Sequence, residues 1–192
     1  AASDVYKRQV QKVYDDFHEM FTDPDVDVIY ITTPHNTHIG FVREALKNKK
    51  HVLCEKSITL NSLELEEALA LAKENDVIFA EAMTIWHMPL YKKLWELIDA
   101  GKTGTYASNA NEEHEEIADW LADGVPALGK VQMIQLNFGS YKEYNMKNRF
   151  FNMDLAGGAL LDIGVYALSI ARSFMESKPD QVLSQVKFAP TG

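Results

Sequence analysis

From Val26 to Thr33 the chain reads VDVIYITT, a nearly unbroken apolar run rich in β-branched and aromatic residues that comes after the turn-like TDPD. A run of this kind predicts a strand of a parallel sheet, whose two faces are both covered. Pro34 breaks it, and the pattern then changes period. From Thr37 to Asn48, Ile39, Val42, Ala45 and Leu46 fall on one helical face. A second apolar run, HVLC from His51 to Cys54, stops abruptly at Glu55 and Lys56. Asn61 or Ser62 then suits an N-cap for a helix in which Leu63, Leu65, Ala68, Leu69 and Ala72 recur through Lys73. VIFAEAM, Val77 to Met83, predicts a third strand. Such βα repeats joined by right-handed crossovers predict parallel strands in one sheet, covered by helices.

The second half changes character. Met88 to Lys102 has the spacing of an amphipathic helix with Leu90, Leu94, Leu97 and Ile98 inward, and Gly101 reads as its stop. Next comes an acidic block, in which EEHEEIADWLA predicts a short helix. Lys130 to Tyr141 alternates apolar and polar residues, as a half-exposed antiparallel strand does. The shift places a domain boundary near Trp86 to Pro89.

At 192 residues, with 46% hydrophobic and 24% charged residues, the chain is long enough for a real core in one domain or two small ones. The net charge of −9 argues against a nucleic-acid partner, since the only basic cluster is Lys47, Lys49 and Lys50, which reads as a solvated loop. One cysteine excludes an internal disulfide framework. No apolar run is taken to approach membrane-spanning length, and AASDVYKRQVQK lacks the apolar segment of a secretion signal, so the expected setting is cytoplasmic, without a membrane.

Ligands of parallel α/β sheets bind beyond the carboxyl ends of the strands, which makes the strand-end residues the first candidates. Glu55 and Lys56 lie at one such end, Thr32, Thr33, Pro34, His35 and His38 at another, and Glu81 at a third. The structural alternatives are a surface lysine paired with Glu55 or Glu81, and a helix start capped by Asn36 or Thr37. Further on, Gly157 and Gly158 permit close backbone approach to a ligand or a packed neighbour. Asp162 and Tyr166, four apart, share a face if helical, with Leu160, Ile163 and Ala167 packing around them. A carboxylate and a phenol one turn apart can hold a substrate hydroxyl; an acid at a helix start and a core tyrosine account for them equally well. His35 and His38 have no carboxylate or cysteine near them at zinc-ligand spacing, so no metal site is assigned. Cys54, inside an apolar strand, reads as core. Trp86, His87, Phe138, Phe150 and Phe151 serve as pocket lining or as core.

Taken in order, DVDVIYITTPHNTHIGFVREAL, KHVLCEKSITLN, FAEAM, LGKVQMI and GGALLDIGVY resemble the Gfo/Idh/MocA family of NAD(P)-dependent oxidoreductases, from about Val13 to the end. The resemblance implies an α/β fold: part of a Rossmann-type parallel sheet in residues 1–87, then part of an α/β substrate domain with a mainly antiparallel open sheet in 88–192. By motif position, Lys56 is the family's lysine that meets the substrate hydroxyl, and Glu55 lies near the nicotinamide ribose. Thr32, Thr33, Pro34, His35 and His38, with Glu81, form the cofactor-contacting rim, Pro34 and His35 nearest the cofactor and His38 supporting. Asp162 and Tyr166 match the Asp-x-x-x-His pair with tyrosine in place of histidine, as in the glucose-fructose oxidoreductase and dihydrodiol dehydrogenase branches. The activity this resemblance implies is hydride transfer between a sugar, polyol or diol and NAD or NADP, with a homo-oligomer formed through the second domain.

Three departures qualify the match. Ser57 stands where the motif has proline, which leaves the turn after Lys56 less rigid. No G-x-G-x-x-G occurs in the chain, so the phosphate loop and first strand are expected ahead of Val13, and the substrate domain is expected to continue past KFAPTG. Thr103 to Ala127 reads as an insertion. A non-catalytic binding or regulatory protein on the same scaffold, and an inactive fragment, are the alternatives.

Overall fold

The computed structural model describes residues 12–103, 131–188 and 190. They fall into two compact units: one runs through Ala82 and takes in Asn145–Asp162, and the other comprises Met83–Tyr144 and Ile163–Pro190.

In the first unit, helix α1 (Phe17–Thr22) leads into strand β1 (Val28–Ile31), helix α2 (His38–Lys47), strand β2 (His51–Glu55), helix α3 (Ser62–Glu74) and strand β3 (Phe79–Ala82). The three strands pair in the order β1-β2-β3, all parallel, with Ile31 opposite Cys54 and Cys54 opposite Glu81. The repeat expected from the sequence is therefore present. Strands β1 and β3 are shorter than their apolar runs, while β2 reaches past its run to Glu55.

Burial explains the order. Ile29, Ile31, Val52 and Cys54 point into one cluster with Val42, Ala45 and Leu46 of α2, Ala68 and Ala72 of α3, and Phe21 of α1. At about 1.5–3 kcal/mol for each fully buried large aliphatic side chain, this cluster is what holds the unit together. Val28, Tyr30 and Leu53 on the opposite sheet face stay exposed. The expectation of a sheet covered on both faces is thus met on one face only among the described residues. Continuous apolar character marks a strand as suited to double burial but does not provide the second layer.

The helix ends obey local chemistry. Asn61 caps α3 by accepting from the Glu64 N–H at 3.0 Å, and the Glu64 carboxylate accepts from the Leu60 N–H at 3.0 Å, a reciprocal arrangement akin to a capping box. Both α2 and α3 stop without glycine, at Lys49 and Asp76 in the left-handed region. Lys50, expected in a solvated loop, is instead buried, and its ammonium donates to the Asp23 carbonyl at 2.6 Å.

In the second unit, α4 (Pro89–Thr103) continues through Gly101 rather than stopping there. Glycine inside a helix costs only about 1 kcal/mol, so it ends one only where a left-handed turn is needed. Ile98 is buried on α4, whereas Leu90 is exposed. Trp95 stacks on Trp86 at 5.3 Å and donates its indole N–H to the Ser173 hydroxyl at 3.1 Å, and Phe174 packs beside it. Ser173 and Phe174 lie at the end of α5 (Val165–Phe174). Residues 131–144 form no strand among the described residues, and Met133, Leu136 and Phe138 are exposed. The antiparallel sheet expected there is absent from the described chain. Alternation prepares a strand's faces, but a strand exists only where a neighbour takes its N–H and C=O groups. The short helix and insertion expected between Thr103 and Ala127 lie almost wholly outside the described residues.

Met153–Phe174 is long and apolar enough to cross a membrane by length and composition, with a mean hydropathy of 1.4 over an 18-residue stretch of it, contrary to the sequence expectation. Asp154, Asp162 and Arg172 interrupt the segment, and so hide its length from a search for unbroken apolar runs.

Truncating Leu46, which is fully buried, to alanine is expected to lower stability by about 2–5 kcal/mol. The same change at half-exposed Leu69 costs about 0.5 kcal/mol or less. Urea midpoints of the two variants, read at equal m-value, check the difference.

Candidate functional site

Because β1, β2 and β3 run the same way, their carboxyl ends open onto one rim. Beyond β1 the chain enters a single 3₁₀ turn, His35–Thr37. The Thr37 hydroxyl donates to the Pro34 carbonyl at 2.7 Å and is paired with the Thr33 hydroxyl at 2.8 Å, so it braces the turn rather than capping α2. Thr32 and Pro34 face outward, while His35 and His38 are turned in and buried.

Both rings reach the next strand end. His38 places Nδ1 2.9 Å from the Ser57 carbonyl and Nε2 2.8 Å from the Thr33 carbonyl. Carbonyls only accept, so the neutral ring satisfies one of them and the imidazolium both. His35 packs edge-on against His38 at 5.6 Å and hydrogen-bonds the Lys56 backbone. That bond favours the charged ring, so its acceptor is the Lys56 carbonyl. Burial, followed by the nearby positive charge of Lys56, outweighs it and holds the His35 imidazole below its ordinary pKa. The two histidines of the expected cofactor rim bond two consecutive carbonyls of the lysine turn.

Lys56 extends from that turn to Asp162. Its ammonium lies 3.1 Å from Oδ1 and also donates to the Asp162 backbone carbonyl. Both side chains are largely shielded, at 14% and 20% exposure. Arg149 adds a second cation, 3.8 Å from the same Oδ1. Glu55 takes the Tyr30 hydroxyl and, at 3.3 Å, the Lys56 N–H. Hydrogen bonding to this carboxylate raises the Tyr30 phenol above its ordinary pKa. Glu81 accepts from the Ile58 N–H at 3.0 Å, and burial pushes its carboxyl up. Cys54 is fully buried and its thiol is pushed up to about 12, chiefly by burial, which makes it a core residue.

Asp162 arrives from a segment built on asparagines. Asn145, Asn148 and Asn152 accept in turn from the N–H groups of Lys147, Phe150 and Asp154, each folding its own short turn. The close-approach reading of Gly157 is met by a packed neighbour. A Cβ there would lie 2.4 Å from the Arg149 carbonyl and 2.7 Å from that of Asn152. Asn36 donates to the Asp154 carbonyl at 3.3 Å, while its own side-chain oxygen is buried without a partner. Residues Leu160–Gly164 form a π turn and α5 begins only at Val165, so the α-helical spacing assumed for Asp162 and Tyr166 does not hold. Leu160 is exposed. Tyr166 belongs to the second unit, its ring 5.9 Å from Phe138. Among the described residues no three His, Cys, Asp or Glu side chains gather as metal ligands.

Arg149 is the site residue that sequence reasoning misses. Its one signal is an arginine in the Asn-rich NMKNRFFN, which reads as an ordinary loop.

The model of the oxidoreductase family's NAD-binding Rossmann fold matches residues 1–83, and that of the GFO/IDH/MocA C-terminal domain matches residues 114–191. The chain belongs to the Gfo/Idh/MocA family. Among curated members it is 35% identical to a D-xylose 1-dehydrogenase (NADP(+)) of Hypocrea jecorina, over 82% of this chain and 36% of that protein. It is 32% identical to a trans-1,2-dihydrobenzene-1,2-diol dehydrogenase of Xenopus laevis, over 95% of this chain and 48% of that one. The chain thus spans half or less of the length of these relatives. A 3-ketoreductase from Actinomadura kijaniata, solved with NADP and TDP-benzene, shares the fold at a TM-score of 0.59 and 24% identity, over 90% of this chain and 45% of that one.

The raised carboxyl of Glu81 has a consequence for stability. The folded chain keeps this proton to higher pH than the unfolded chain, so stability falls as pH rises from the ordinary glutamate range through the folded-state value. Glu81→Gln removes that loss and keeps an oxygen for the Ile58 N–H. Chemical denaturation across the interval is expected to show a shallower decline for the variant, and an equal slope assigns the effect elsewhere.

Proposed function

We propose that the protein is an NAD(P)-dependent oxidoreductase transferring a hydride between a secondary alcohol of a sugar, polyol or diol and the nicotinamide. The observation that carries this reading is the shielded Lys56–Asp162 pair at the rim of a parallel sheet. The residues present suit the nicotinamide end of the cofactor: exposed Thr32 and Pro34, half-buried Thr33, and the Glu55–Lys56 strand end line that rim, beside an orphaned amide oxygen on Asn36. His35 and His38 serve it through the turn they support. The chain has no G-x-G-x-x-G to cradle the pyrophosphate, so the reading places no phosphate contact on it.

The bound cofactor supplies the hydride acceptor or donor. Lys56 holds the substrate hydroxyl and exchanges its proton at Nζ, while Asp162 orients Lys56 and keeps its charge compensated. Tyr166 shares the proton handling by its motif position. The dehydrogenase and reductase activities of the relatives support the substrate class. A cytoplasmic setting and a homo-oligomer complete the proposal; the first is supported by a single, buried cysteine, and the second by the family resemblance.

A panel of sugars, polyols and trans-diols assayed with NAD and with NADP tests the reading. Lys56→Ala is expected to cut turnover by about 10²–10⁴-fold, the usual contribution of a positioned acid–base group. Equal turnover of the two proteins overturns the assignment.

A further inference from the structure

By motif alone Ser57 is a loss, a flexible residue where the family has proline. The structure gives it a different place. Ser57 is buried, 6% exposed, and is held on two sides. Its carbonyl faces Nδ1 of the fully buried His38 at 2.9 Å. Its hydroxyl donates at 2.8 Å to the carbonyl of Leu161, 104 residues away in sequence. Leu161 immediately precedes Asp162, the acceptor for Lys56, and Lys56 immediately precedes Ser57. Two adjacent residues on one segment therefore grip two adjacent residues on the other: Lys56 through its ammonium and Ser57 through its hydroxyl. Proline has no hydroxyl to make the second bond.

The contribution of this bond is one of order. A lysine has four side-chain torsions to fix before its ammonium stays on one carboxylate, and fixing them costs rotamer entropy. Flexing of the turn would add backbone freedom to that cost. The His35 and His38 rings hold the turn's carbonyls from beneath, and the Ser57 hydroxyl ties the turn to the segment bearing Asp162.

We infer that Ser57 is a positioning residue for the proton-handling lysine, its hydroxyl bond to the Leu161 carbonyl keeping Lys56 in register with Asp162. The inference rests on the proposed function for its catalytic meaning, but its structural content is tested without turnover. Threonine and valine have the same shape and differ only in the hydroxyl, so Ser57→Thr and Ser57→Val carry the same steric load. Ser57→Ala, smaller than serine, is read alongside as a variant free of any clash. The readout is the rate at which a water-soluble amine-reactive ester, at limiting concentration, labels Lys56 in the 192-residue chain, followed by mass spectrometry. Lys50 is the internal control, because it is buried in the same unit and bonded to Asp23, and general loosening would expose both.

Labelling of Lys56 is expected to rise about fivefold in Ser57→Ala and Ser57→Val, the ratio that one ordinary hydrogen bond is worth, with Ser57→Thr near the parent and Lys50 unchanged in all. Equal labelling of the threonine and valine variants, or a parallel rise at Lys50, overturns the inference. If Lys56→Ala leaves turnover intact while the labelling pattern holds, the reaction assignment fails and the positioning role stands. If both hold, Ser57→Val is further expected to lower kcat with little change in KM, and Ser57→Thr to restore it.

Discussion

An ammonium and a carboxylate that have both given up most of their water are tolerable only in each other's company, and Lys56 and Asp162 stand in that relation. Removing Asp162 takes from the shielded ammonium its carboxylate, and removing Lys56 leaves the carboxylate with Arg149, 3.8 Å away. The surrounding polar groups make sense as the means by which this pair is held. The histidine rings under the turn, the serine hydroxyl across to Leu161 and the Arg149 guanidinium beside Asp162 all act within one neighbourhood of the first unit. A pair that depends on so many neighbours is more exacting to assemble than a surface salt bridge, and that suits a site better than a stabilising device.

The fold brings the pair together by two unrelated routes. Lys56 is placed by long-range order: parallel pairing fixes which residue of β2 is last, and the apolar cluster fixes which side of the sheet faces the helices. Asp162 is placed by local order, through three successive asparagine turns and a glycine that lets the loop fold against its own backbone. Only the first route depends on the hydrophobic core. A substitution that weakens the core therefore acts on the lysine, whereas one that stiffens or crowds the asparagine turns acts on the acid.

Much of this is legible in the residues. Val42, Ala45 and Leu46 on one helical face, and Asn61 as a cap, are evident from period and propensity because amphipathic spacing and capping are local properties. Lys56, Asp162 and the strand-end rim emerge from motif order and from the rule about strand termini. The mismatches share a cause. Lys50 suggests a solvated loop residue and Lys130–Tyr141 a strand, yet the first outcome turns on the distant Asp23 carbonyl and the second on the lack of strand pairing among the described residues. The bonds of His35 and His38 to the lysine turn are likewise invisible in the motif, because the direction of a ring is not written in its position.

By itself the sequence determined the alternation of strands and helices, the residues able to carry charge or protons at the strand ends, and the family to which these motifs point. Those properties reside in single side chains and short periods. Only the tertiary structure decided that Lys56 meets Asp162 across 106 residues, that two histidines hold the turn from below, and that Ser57 ties what a proline would have left unbonded. A hydrogen bond acts over about 3 Å, and no spacing along the chain states which distant groups the packed core will bring within that reach.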